Sequence, residues 1–136
     1  MIHGIGTDIV RVARIGESLA RHGERFAERV LAPGERAEFE RSRDPARFVA
    51  KRFAAKEAFG KALGTGVAVP ATLHAISVEH DALGKPVFRY AEALALHMAE
   101  GGLSAHLSLT DEQEYVVAFA VIECRHEQIP ERSADD

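Results

Sequence analysis

Tryptophan is missing from this chain of 136 residues, and cysteine occurs once, at Cys124. A single thiol excludes any internal disulfide and points to a reducing compartment. No apolar run approaches the ~20 residues that crossing a bilayer requires. The opening "MIHGIGTDIV" lacks a basic stretch followed by a long apolar one, which predicts no secretory leader. The expectation is a cytoplasmic protein with no membrane partner. His3, His22, His74, His80, His97, His106 and His126 show neither HxxxH nor HExxH spacing, which argues against zinc. Walker-type and dinucleotide-type glycine loops are absent, and so is a GxSxG nucleophile elbow. With two tyrosines and no tryptophan, the aromatics that stack on RNA bases are scarce, so no nucleic-acid partner is expected.

What is present fits one domain, over residues 1–124, followed by a polar tail at 125–136. The formal net charge of −4 is unevenly spread. The stretch "RFVAKRFAAKEAFGKALGTG" at 47–66 carries Arg47, Lys51, Arg52, Lys56 and Lys61 against the lone acid Glu57. Local positive potential on an acidic chain suggests either a bound anion or a solvated basic face.

Residues 2–10 read as a strand interrupted by Gly4 and Gly6, where glycine marks a bend or a close backbone approach. The apolar positions Ile15, Leu19, Phe26 and Val30 predict one helix over 13–30. "APGERAEFERSRD" predicts a shorter helix opening at Pro33. Asp44 before Pro45 is an N-cap signal, and Gly64 is placed to end the helix it opens, from about 45 to 63. "LHAISVEH", "VFRY", "LSAHLSLTDE" and "YVVAFAVIEC" predict strands, the last two as a hairpin, with "AEALALHMAE" as a helix between the pairs. The order is βαααββαββ, an α+β fold with helices against a largely antiparallel sheet.

Three places could carry chemistry. Glu57 and Lys61 are four apart on one helix face, which by itself predicts an ordinary ion pair. A second carboxylate nearby would instead create, with phosphate oxygens, a site for Mg²⁺. Asp8, in the otherwise apolar "GIGTDIV", is the candidate; the alternative is that it caps the helix that follows. On the predicted strand at 103–112, period-2 alternation puts His106, Ser108 and Thr110 on one face, lining either a polar pocket or open solvent. The "GTG" at 64–66 could offer backbone N–H groups to a phosphate. Finally, Arg14, Arg21 and Arg25 form one stripe of the first helix, a solvated face or a dock for an acidic protein.

Together, "GIGTDIV" at 4–10, "RFAAKEAFGKALGTG" at 52–66 and "HLSLTDE" at 106–112, with "GKP" at 84–86, resemble the holo-[acyl-carrier-protein] synthases, the small 4′-phosphopantetheinyl transferases. The resemblance covers roughly residues 1–123. It implies Mg²⁺-dependent transfer of 4′-phosphopantetheine from coenzyme A to a serine of acyl carrier protein, releasing adenosine 3′,5′-bisphosphate for fatty-acid synthesis. It implies Asp8 and Glu57 as metal ligands, Glu57 and Lys61 as catalytic groups, and Lys61 beside the pyrophosphate. Arg52, Gly64, Thr65, Gly66, Lys85, Pro86, His106 and Ser108 match the coenzyme site, and Arg14, Arg21 and Arg25 the carrier-docking helix. It further implies a homotrimer with active sites between subunits. Arg11 stands where many members carry an acid, and Asp111 where many carry histidine. The rival readings are another Mg²⁺-dependent nucleotide phosphotransferase or hydrolase, and a non-enzymatic basic-helix binding module.

Overall fold

A computed structural model of the chain describes residues 1–125; the predicted tail lies almost wholly outside them. The elements, in chain order, are β1 (Ile2–Arg11), α1 (Val12–His22), α2 (Glu24–Val30), a 3₁₀ turn (Pro33–Glu35), α3 (Arg36–Arg41) and α4 (Pro45–Leu63). They continue as β2 (Ile76–His80), β3 (Pro86–Tyr90), α5 (Glu92–Glu100), β4 (Leu103–Asp111) and β5 (Tyr115–Cys124). The α+β class holds. One difference lies in the first helix, which is two. The apolar period runs unbroken through residue 23, but Gly23 adopts φ 58° and ψ −141°, a conformation that breaks the helix and favours glycine.

Helix α4 is built as its local signals predict. Asp44 accepts a hydrogen bond from the Arg47 N–H (3.2 Å), Pro45 fills the first turn, and Gly64 closes the helix at φ 94°. It lies across a three-stranded antiparallel sheet of order β1-β5-β4, with β2 and β3 forming a separate two-stranded ribbon. Val49, Ala54, Ala58 and Phe59 on α4 are buried with Val116, Ala118, Ala120 and Ile122 on β5. Phe59 meets Phe88 edge-on at 5.0 Å, joining the ribbon to the same core.

Contact between α4 and β1 is closer than side chains would allow. A Cβ at Gly4 would overlap the Ala62 carbonyl oxygen, and one at Gly6 the Ala58 carbonyl oxygen. The close approach predicted for these glycines is therefore real, and it is made backbone to backbone. The sheet's opposite face is unusually apolar for a surface: Ile5 is 60% exposed, Ile9 63% and Phe119 39%. Thr7 and Ser108 flank Phe119 across the ladder on that same face.

Candidate active site

Asp8 sits within β1, paired with Ala118, and α1 begins only after Arg11, which makes no side-chain cap. The capping alternative for Asp8 thereby falls. Alternation along β1 puts Asp8 on the same face as Gly4 and Gly6, the face pressed against α4. From α4, Glu57 and Lys61 project toward it. Lys61 Nζ donates to the Thr7 carbonyl oxygen (2.8 Å) and to Asp8 Oδ1 (3.3 Å), so its ion pair is with Asp8 on the neighbouring strand. Asp8 and Glu57 border one cavity of about 380 Å³, whose walls include Arg11, Arg14, Ser18, Phe26, Phe53 and Tyr115.

Electrostatics set Glu57 apart. Burial first, and then the charge of Asp8, push its carboxyl above the ordinary glutamate range, while Lys61 pulls it back. Asp8 and Glu57 are the two residues of this cavity that could hold a cation. No cluster of three or more His, Cys, Asp or Glu side chains arranged for a metal occurs among the described residues. A pair alone does not form an all-protein cage, but it suits Mg²⁺, which retains waters and takes substrate oxygens for its remaining positions.

The other cations of 47–66 are engaged differently. Lys56, 0% exposed, donates to Glu35 Oε1, to the Val30 carbonyl (2.8 Å) and to the Leu73 carbonyl (2.9 Å). Glu35, 3% exposed, also accepts from the N–H groups of Ala32 (2.9 Å) and Val78 (3.1 Å). Arg52 Nη2 donates to Glu38 (3.2 Å), and its guanidinium lies 4.4 Å over the Phe48 ring. Arg52 Nε is 3.1 Å from Glu35 Oε2, close enough for charge attraction but not aligned as a hydrogen bond. Burial depresses both the Lys56 and the Arg52 pKa, and Glu35 opposes that shift in each. Arg47 and Lys51 share Asp111. The surplus charge of the segment is thus largely matched by carboxylates of the same chain, so it is neither a free anion-binding face nor a wholly solvated one.

The structure brings Asp8, Glu57, Lys61 and Arg14 together; the remaining predicted residues lie elsewhere. Arg52 borders a separate cavity of about 250 Å³ with Arg47, Lys51 and His80. The N–H groups of Gly64 and Gly66 both donate to the Gly60 carbonyl (3.1 and 3.0 Å), so they are not free for a phosphate, contrary to expectation. Thr65 Oγ1 donates to the Gly66 carbonyl oxygen (2.8 Å). Lys85 ends the β2–β3 turn, its N–H held by Asp81 (2.9 Å), and Pro86 opens β3. His106 and Ser108 are exposed on the outer face of the sheet, with His106 Nε2 2.8 Å from Glu123. Arg21 borders a cavity along α1 with Arg14, but Arg25 lies exposed on α2, beyond the break at Gly23, so the three do not form the single helical stripe expected. Sequence reasoning missed Phe53 and Tyr115 as cavity walls. Phe53 could have been found, since it precedes Glu57 by one helical turn; Tyr115 could not, because only the β1–β5 register puts it opposite Arg11.

Comparison with known proteins identifies the family. The family model of the 4′-phosphopantetheinyl transferase superfamily matches residues 4–120. A holo-[acyl-carrier-protein] synthase from Azoarcus sp. (strain BH72) is 73% identical over 125 residues, covering 92% of this chain and 100% of that protein. The crystal structure of the Neisseria meningitidis holo-[acyl-carrier-protein] synthase superposes with a TM-score of 0.87 at 48% identity, covering 90% of this chain and 99% of that one. The Bacillus anthracis synthase, solved in complex with CoA (3′,5′-ADP), gives 0.78 at 35% identity over 92% and 99% of the two chains. The chain belongs to the 4′-phosphopantetheinyl transferase superfamily and, within it, groups with the holo-[acyl-carrier-protein] synthases. The expectation of a transferase of this family is borne out.

Proposed function

We propose that the chain transfers 4′-phosphopantetheine from coenzyme A to a serine hydroxyl of acyl carrier protein. The observation that carries this reading is the meeting of Asp8 and Glu57 at one cavity, with Lys61 hydrogen-bonded to Asp8. In the reaction the serine oxygen attacks the phosphorus bearing the pantetheine arm. The bond from that phosphorus to the bridging oxygen breaks, and adenosine 3′,5′-bisphosphate departs with the electron pair.

Asp8 and Glu57 would hold Mg²⁺, which supplies charge neutralisation for the diphosphate. Such transfers depend on positioning and electrostatics rather than on a covalent intermediate. Glu57 accepts the serine proton, directly or through water. Lys61, anchored by the Thr7 carbonyl, offsets charge on the departing phosphate.

The coenzyme would be held by Thr65, Lys85, Pro86, His106 and Ser108, with Gly64 and Gly66 shaping the loop that carries Thr65 and not donating their N–H groups. Its anionic groups would compete with Glu38 and Asp111 for Arg52 and its neighbours. His106 and Ser108 face away from the Asp8 side of the sheet, so they join a carboxylate pair most simply when that pair belongs to another copy. The exposed Ile5, Ile9 and Phe119 on the same face supply an apolar surface for such assembly, in support of a homotrimer with shared active sites. Arg14, Arg21 and Arg25 would receive the carrier's acidic surface.

The test is mass spectrometry of apo acyl carrier protein incubated with the chain, coenzyme A and Mg²⁺. A gain of one phosphopantetheine that EDTA abolishes is expected. Turnover of coenzyme A with no gain on the carrier would replace this reading with a hydrolase.

A further inference from the structure

Arg11 occupies a position the proposed chemistry does not use. It ends β1, is exposed, and makes no ion pair among the described residues, although it borders the same cavity as Asp8 and Glu57. Tyr115 pairs with it across the β1–β5 ladder and lines the cavity beside it. Arg14 lies one turn further along, on the same wall, also without an ion-pair partner among the described residues. The cavity therefore has carboxylates at one side and uncompensated guanidinium groups at the other. A single ligand that fills it must present positive charge, or a metal, to the first and negative charge to the second.

Two sources of negative charge exist in the proposed reaction: the coenzyme's phosphates and the carrier's acidic side chains. Position favours the carrier. Lys61 already approaches Asp8 from α4, whereas Arg11 and Arg14 border the cavity where β1 gives way to α1, and Arg14 shares the next cavity along α1 with Arg21. Arg11 lies three residues beyond Asp8, or ~10 Å along an extended strand. Two turns of an α-helix span ~11 Å. We propose that Arg11 is a docking residue for the carrier protein, pairing with an acidic side chain within about two helical turns of the acceptor serine and so selecting which carriers are served. This rests on the transferase reading above.

The experiment is steady-state kinetics of R11E, R11A and R11K with apo carrier and coenzyme A varied in turn, alongside the mass of each variant in solution. R11E should raise the KM for carrier about tenfold, because charge reversal converts an attraction into a repulsion. R11K should retain most of the wild-type value, and the KM for coenzyme A should stay within about twofold, the contact being electrostatic and confined to the carrier. A carrier whose acidic residue near the serine is changed to lysine should regain activity with R11E and lose it with the wild type. An unchanged carrier KM overturns the proposal. A rise confined to the KM for coenzyme A also overturns it and assigns Arg11 to the coenzyme's phosphates. A fall in assembled mass overturns it in favour of a contact between copies. If the wild type itself transfers nothing to any carrier, the transferase reading fails first and takes this inference with it.

Discussion

Lys56 and Glu57 are adjacent on α4, yet their surroundings are opposites. Lys56 points into the protein and finds three oxygen acceptors, one of them the equally buried Glu35. Glu57 points toward β1 and finds another acid, with Lys61 bound to Asp8 instead. One face of the helix closes its charges within the fold, and the next leaves a deficit of positive charge. Buried ion pairs add little net stability, because desolvation offsets their attraction, but they lose much when half is removed. A carboxylate pair left short of cations costs stability outright and is useful only when something else supplies the charge.

The comparison can be broken first on its closed side. K56M leaves Glu35 buried with Arg52 as its one ion-pair partner among the described residues, and should cost about 3–5 kcal/mol in urea denaturation. The double variant K56M/E35L should cost less than K56M alone; a greater loss would mean that the pair stabilises beyond its own satisfaction. On the open side, E57Q should keep the fold but reduce transfer by about a hundredfold or more, since it removes a carboxylate from the proposed metal site. Near-normal turnover by E57Q would strip Glu57 of its role. G6A attacks the spacing between the faces: its methyl meets the Ala58 carbonyl and should cost about 1–3 kcal/mol. It should also weaken Mg²⁺ binding measured by calorimetry, whereas an unaltered affinity would show that the strand spacing does not set the site.

The smallest effect is the most discriminating. Glu57 has a raised carboxyl pKa, so the folded state binds its proton more tightly than the unfolded chain does. Stability from this group is present below the ordinary glutamate range, near ~4.3, and is lost as pH rises through the higher folded value. In EDTA, E57Q should therefore melt slightly above the wild type at neutral pH, with the gap closing on acidification. A gap that widened toward low pH would reverse the assigned shift.

The helix α4 was legible because its limits are local: Asp44 and Pro45 begin it and Gly64 ends it within a few residues. The α1–α2 break was not, since Ile15, Leu19, Phe26 and Val30 keep helical phase through Gly23 and only the backbone angle reveals the interruption. Asp8 and Glu57 were each visible as misplaced acids, but spacing along the chain carries no information on their meeting; the resemblance supplied it. Lys56 gave no sign of burial, because its partner Glu35 comes from a turn whose path depends on the whole fold. Charge counting over 47–66 could not separate its two readings for the same reason.

The seam between β1 and α4 has one more consequence. Because Gly4 and Gly6 let main chain touch main chain, the distance from strand to helix is fixed by covalent geometry and atomic radii, not by rotamers. Side chains elsewhere can drift and be compensated by their neighbours, but this gauge has no adjustable part. The gap offered to the proposed ion is therefore inherited from the peptide backbone itself.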